Sequence, residues 1–305
     1  MKLEPGFVTR FAPAPTGYLH LGHAVNAVWV WGLATAFGGR VLLRVEDHDQ
    51  GRCRPEYEAA LLDDLDWLGL IPDIGATDEF RRGPHAQRQS DSDARYAARL
   101  SALERAGLAY PCHCSRGDIA RAHDDGGSDE SPDGTELRYP GSCREAHLDP
   151  AAVSARRVRM DDGAPESFTD LRLGPHHQDP AHQCGDLLVR DRRGHWTYQF
   201  AVVVDDLEQD VDVVIRGEDL LESTGRQIRL ARLLGRETMP RFLHHPLLRH
   251  SDGRKLSKSA GDTGLRELRA AGSTPADVLG LAAHQSGLQP TPAPIAADSL
   301  ATLFR

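Results

Sequence analysis

The chain has 305 residues, 40% hydrophobic and only 6% aromatic, enough apolar mass for one large domain with an insertion or two modest domains. It has no run of about 18 apolar residues, and its opening MKLEPGFVTR lacks an apolar signal core, so we expect a cytoplasmic protein with no membrane partner. The formal net charge of −9 argues against a uniformly basic nucleic-acid binder, yet residues 46–79 and the loop 123–136 hold 17 of the 45 acids against two arginines, and the rest is net positive and permits an RNA-facing surface.

Phe7–Ala12 reads as a buried strand, followed by the turn-rich Pro13-Ala14-Pro15-Thr16-Gly17. Leu21, Val25, Val28, Trp29 and Leu33 then recur at helical spacing until Gly38-Gly39 ends the helix. Arg40–Val45 reads as the next strand, and Pro55 opens a second helix with Leu61, Leu62, Leu65 and Leu68 on its apolar face. Strand, helix, strand, helix predicts an α/β fold with a parallel sheet. A long helix is expected over 86–106. The pattern breaks up between Tyr110 and Gly185, which predicts an inserted module. Regular structure resumes with Asp186–Arg190, a turn at Arg192-Arg193-Gly194, the apolar Phe200–Val204, a strand over Val211–Ile215 and a helix over Leu220–Leu234. Residues 250–258 read as a hairpin closing at Ser251-Asp252-Gly253, and the acidic loop 123–136 as disordered.

Two short stretches carry the chemistry. A strand, a Pro/Gly loop and a helix beginning near Leu21 place His20, Gly22 and His23 at a helix N-terminus, where free backbone N–H groups favour phosphate. Gly22 would let a flat base approach the backbone, and the two histidines would donate to phosphate oxygens. The second stretch is Lys255-Leu256-Ser257-Lys258-Ser259. Of 36 basic residues only Lys2, Lys255 and Lys258 are lysines. A compact ammonium on a flexible stem can follow a moving phosphate, which a planar guanidinium does less well. Together the two stretches predict an ATP site.

The order and spacing become specific here. Arg10-Phe11-Ala12-Pro13-Ala14-Pro15-Thr16-Gly17 runs into His20-Leu21-Gly22-His23; Leu43-Arg44-Val45-Glu46-Asp47, Tyr198–Asp206, Val214–Asp219 and Lys255–Ser259 follow. The chain from about residue 7 to 260 resembles class I aminoacyl-tRNA synthetases of the glutamyl type. Only 46 residues follow Ser259, too few for that family's helical anticodon-binding domain, and in this the chain resembles the truncated glutamyl-Q tRNA(Asp) synthetases.

The resemblance implies a Rossmann-type catalytic domain in two halves (1–110 and 186–260, the second with the KLSKS loop), an inserted zinc and acceptor-side module (111–185) and a short helical C-terminal segment (261–305). It implies activation of L-glutamate by ATP with Mg²⁺ and transfer of the glutamyl group to the queuosine base of tRNA(Asp), by a monomeric ligase of the glutamyl-adenylate-forming kind. Arg10 and Arg216 would hold the substrate's side-chain carboxylate with paired hydrogen bonds. Glu46 would accept from the substrate ammonium, Tyr198 would offer its hydroxyl, and the rim Arg10, Phe11, Ala12, Pro13, Ala14 would supply backbone. His20, Gly22, His23 and Lys258 would bind ATP, with His20, His23, Lys255 and Lys258 catalytic. The bland alternative pairs Arg10 with Glu46 across neighbouring strands. The family usually has serine where Ala14 stands, which removes one hydroxyl near the amino acid.

Five cysteines, unevenly spaced, argue against a disulfide scaffold. Cys112-x-Cys114 with Cys143 offers three soft ligands suited to structural Zn²⁺. Tyr139, His113, His123 and His147 are candidates for the fourth, and only the family pattern favours Tyr139; reduced core thiols are the alternative. The pairs His176-His177 and His244-His245 read as solvated or capping. Arg226, Arg229 and Arg232, at helical spacing, read equally as an RNA-facing or a solvated face. Competing functions are a small nucleotidylyltransferase, a glutamate-activating ligase with another acceptor, and a non-catalytic RNA- or protein-binding paralogue.

Overall fold

The computed structural model describes residues 3–126, 137–160, 163–248 and 264–305. Strand β1 (Val8–Phe11) is buried along its length and leads through the Pro/Gly loop to helix α1 (Leu21–Phe37). His20 caps α1 from an extended backbone, and Gly38 ends it in the left-handed conformation at φ 71°. Strand β2 (Arg40–Leu43) returns beside β1 in parallel register, Val8 opposite Arg40 and Phe11 opposite Leu43. Helix α2 (Pro55–Leu68) starts on its proline and ends at Gly69, also left-handed.

The long helix expected over 86–106 is shorter. A helix α3 (Thr77–Arg81) and a 3₁₀ turn (Gln89–Asp91) precede α4 (Asp93–Arg105). Tertiary partners hold the 3₁₀ turn: Ser90 N–H donates to Asp47 Oδ1 at 2.8 Å and Gln89 Nε2 to Asp205 at 2.9 Å. After β3 (Ala109–Pro111) and α5 (Arg116–Gly126) come β4 (Arg156–Val158), the hairpin β5 (Glu166–Asp170) and β6 (Gly174–Gln178), α6 (Pro180–Cys184) and β7 (Leu187–Arg190). The apolar stretch 200–204 lies in helix α7 (Tyr198–Glu208), and β8 (Val213–Gly217) follows. The helix expected over 220–234 opens as a 3₁₀ segment (Glu218–Ser223) before α8 (Thr224–Leu233); β9 (Arg241–His245) comes next.

The main sheet runs β2-β1-β8-β9-β5-β6, parallel except for β6. Residues 166–178, inside the span expected to be an insertion, thus extend this sheet, because β5 pairs with β9. β4, inside the same span, joins β3 and β7 at its two borders in a separate antiparallel sheet. Helices α9 (Leu265–Ala270) and α10 (Pro275–Gln285) and a 3₁₀ segment (Ala297–Phe304) follow.

One core lies under α1, which is apolar around most of its circumference and is covered by the sheet, α10 and the last 3₁₀ segment. Gly32 permits this: a Cβ there would sit 2.2 Å from the Phe304 ring. A second core gathers α4, β7, α7 and α8 around Tyr96, Phe200 and Leu230. No described helix is long and apolar enough to cross a membrane.

Candidate active site

A cavity of about 610 Å³ opens beyond the carboxyl ends of β1 and β8, where parallel α/β sheets bind ligands. It is lined by Arg10, Phe11, Ala12, Pro13, Ala14, His20, Gly22, His23, Glu46, Tyr198 and Arg216, so residues from five separate stretches of sequence meet in one place. Lys255 and Lys258, and the hairpin read around them, lie outside the described residues. Among the described residues Leu247 and Leu248 line this cavity, and Gly264 bridges to His20.

At the start of α1 the two histidines use the backbone themselves. Gly22 N–H donates to His20 Nδ1 at 3.1 Å and His20 N–H to His23 Nδ1 at 3.2 Å. The amides expected to await a phosphate are therefore capped. With Nδ1 accepting on both rings, the ring proton resides on Nε2, a donor suited to anionic oxygen. Gly22 leaves room for this arrangement, since a Cβ would lie 2.9 Å from His20 Cε1.

Arg10 and Glu46 do not satisfy each other. Arg10 Nε donates to Asp206 Oδ1 and its Nη1 to the Ile215 carbonyl, both at 3.2 Å. Glu46 Oε1 accepts from Arg44 Nη2 at 3.0 Å. Arg44 is fully buried and also donates to Asp206 at 2.8 Å. Burial opposes ionisation of Asp206, but the Arg10 and Arg44 guanidinium groups outweigh it and hold its carboxyl below the ordinary carboxylate range.

Arg216 stands in a different field. It is 4% exposed. Its Nε donates to His244 Nε2 at 3.0 Å, Nη1 to Gln227 Oε1 at 2.5 Å and Nη2 to Thr224 Oγ1 at 2.8 Å. All three acceptors are neutral, and among the described residues no carboxylate lies within ion-pair distance of it. Burial lowers its pKa below the ordinary guanidinium value. Three of its five N–H donors are taken by these groups and Tyr198 lies within reach of another, which still leaves a donor for the cavity. Tyr198, at the first turn of α7, is close by, and burial raises its hydroxyl pKa.

The cysteine cluster forms a separate site. The sulfurs of Cys112, Cys114 and Cys143 lie within 4.8 Å of one another. Tyr139 Oη is 3.5 Å from Cys112 Sγ and 3.8 Å from Cys114 Sγ, and accepts from Cys143 N–H at 2.8 Å. His123 bonds the Arg138 carbonyl instead, at 2.6 Å. The Arg157 guanidinium sits 3.7 Å from the Tyr139 ring centroid and 3.4 Å from Cys112 Sγ.

Two readings from local pattern are corrected. His244 is fully buried against Asp170 and His245 against Asn26 and Trp29, so neither is solvated. Arg229 is an interior ion-pair partner of Glu166 at 2.6 Å and Arg226 is buried; of the three arginines only Arg232 is largely exposed. Asp170 escaped the sequence reading altogether, because one aspartate in an irregular stretch carries no periodic or motif signal.

The sheet, the capped histidine turn and the arginine-lined cavity define a class I tRNA synthetase catalytic domain: the family described as tRNA synthetases class I (E and Q), catalytic domain, matches residues 7–281. A glutamyl-Q tRNA(Asp) synthetase of Symbiobacterium thermophilum is 41% identical over 97% of this chain and 91% of its own length. Another, of Rhodobacter capsulatus, is 41% identical over 89% of this chain and 98% of its own. The chain belongs to the glutamyl-Q tRNA(Asp) synthetase family of ligases. A solved glutamate tRNA ligase of Elizabethkingia meningosepticum shares the fold at a TM-score of 0.77 and 24% identity, over 97% of this chain; the chain spans 64% of that structure's length.

Proposed function

We propose that the protein activates L-glutamate with Mg·ATP to glutamyl-adenylate, without needing tRNA for that step, and transfers the glutamyl group to the queuosine base of tRNA(Asp). The observation that carries the reading is Arg216, a buried cation at the cavity wall with only neutral partners. An unpaired interior charge is costly, and a ligand carboxylate would relieve it. Arg10 would join it, Glu46 would take the ammonium through the oxygen not held by Arg44, and Tyr198 would complete the pocket beside the rim of Phe11, Ala12, Pro13 and Ala14.

The α-carboxylate of glutamate would attack the α-phosphorus, and the bond to the bridging oxygen would break to release pyrophosphate. His20 and His23 would donate from Nε2 to the phosphate oxygens, and Lys258, with Lys255 as a lesser helper, would follow the departing charge. The positions of Leu247 and Leu248 on the cavity wall and of Gly264 beside His20 support this role. For the cysteine cluster we propose one structural Zn²⁺ held by Cys112, Cys114, Cys143 and Tyr139; three thiols and a hydroxyl converging within a few ångströms fit a closed tetrahedral site.

The test is amino-acid-dependent pyrophosphate exchange without RNA, followed by labelling of tRNA(Asp) with and without queuosine. Exchange with glutamate and queuosine-dependent labelling are expected. Exchange without such labelling would point to another acceptor, and no exchange with any amino acid in folded protein would overturn the ligase chemistry.

A further inference from the structure

We infer that Asp170 and His244 form a positioning relay that holds Arg216 in its carboxylate-gripping orientation while leaving its charge uncompensated. The inference rests on the proposed glutamate pocket and adds two residues that never touch the substrate.

The geometry begins with strand pairing. β9 lies between β8 and β5, with His244 in register with Arg216 on one side and Phe242 opposite Asp170 on the other. Asp170 is saturated. Its Oδ1 accepts from the backbone N–H of Arg172 and Leu173, both at 2.9 Å. Its Oδ2 accepts from His244 N–H at 3.0 Å and His244 Nδ1 at 2.7 Å. A carboxylate can only accept there, so the imidazole proton sits on Nδ1. Nε2 is then a lone pair, which is what the Nε–H of Arg216 requires at 3.0 Å. Thr224 Oγ1, itself 3.3 Å from His244 Nε2, receives Nη2 of the same guanidinium.

The consequence is electrostatic as well as steric. A carboxylate placed directly on Arg216 would fix the fork equally well but would cancel its charge and compete with the ligand. A neutral imidazole between them supplies the directional acceptor without that competition. Arg10 has the opposite arrangement, a direct contact to Asp206 at 3.2 Å. Discrimination of a carboxylate from an amide ligand therefore falls on Arg216, and its orientation falls on the relay.

The test uses the full chain in glutamate-dependent pyrophosphate exchange. His244→Leu removes the acceptor; His244→Gln can return one through its side-chain oxygen. Asp170→Asn is isosteric but turns an N–H toward donors that need an acceptor, and drives His244 to the wrong tautomer. We expect His244→Leu and Asp170→Asn to raise KM for glutamate at least tenfold, with KM for ATP and kcat within threefold. His244→Gln should stay within threefold of wild type on all three. The preference for glutamate over glutamine should narrow at least tenfold in the first two variants. If His244→Leu does not fold, Asp170→Asn carries the same readout. A folded variant with unchanged KM for glutamate, or one in which ATP and glutamate parameters decline together, would overturn the relay alone. A wild-type protein without glutamate exchange would overturn the pocket and the relay with it.

Discussion

Arg10 and Arg216 line one cavity from the parallel strands β1 and β8, yet their surroundings differ in charge. Arg10 lies 3.2 Å from Asp206, while Arg216 rests on His244, Gln227 and Thr224. One arginine is held by the protein's own acid and the other by neutral groups, which suits the anion-binding role proposed for it. The two should respond to mutation in different ways.

Arg216→Met should lower kcat/KM for glutamate by two or more orders of magnitude while changing the thermal midpoint little. It removes a buried charge that no carboxylate compensates, and the loss of three hydrogen bonds offsets the relief of desolvation. Exchange kinetics and thermal unfolding of the same preparation check both halves.

Arg44→Met should do the reverse at the level of folding. It strands Glu46 and leaves Asp206 with Arg10 alone; Arg44 contacts the two carboxylates at 3.0 and 2.8 Å in the interior. Leaving a buried carboxylate unpaired costs about 3–5 kcal/mol. Urea denaturation should show a large fall in the midpoint, and an unchanged midpoint would mean that the cluster is not structurally important.

Lys258→Ala should reduce kcat for adenylate formation about 100-fold, comparable to the loss of one well-placed oxyanion donor. KM for glutamate should hardly move, because the proposed role is toward departing phosphate. Near-normal turnover would remove Lys258 from the mechanism.

Metal analysis of chelator-free protein should find one zinc per chain. Cys112→Ser or Cys143→Ser should lose it and loosen the sheet of β3, β4 and β7, while glutamate activation falls less. Protein without zinc would leave the cluster as reduced thiols.

Burial lowers the pKa of His245 to about 4. Its unfolded value is near 6.5, so the unfolded state binds a proton first as pH falls. The stability is present above about 6.5 and is lost progressively toward 4, by up to about 3 kcal/mol. His244, also lowered by burial, acts in the same sense. Unfolding free energy measured from pH 7 to 4.5 should fall, and His245→Gln should flatten the slope.

Motifs and local patterning identified much of this protein. The strand at 8–11, the helix stopped by Gly38 and the helix opened by Pro55 follow from apolar spacing and from residues whose backbone preferences punctuate the chain. The His20–His23 and Arg10–Gly17 stretches were legible because each is contiguous. The short form of α4 was not, since the 3₁₀ turn that precedes it is held by Asp47 and Asp205 from distant segments. Nor was the fate of His244, Arg229 or Asp170. A histidine or arginine looks the same in sequence whether it meets water or a buried carboxylate. Which neighbour it meets depends on β5 pairing with β9 and on α8 packing across the sheet, contacts made between segments 60 to 75 residues apart. Local residue preferences set the elements and the contiguous motifs; the tertiary pairing decided which buried charges meet an opposite charge and which meet only neutral groups.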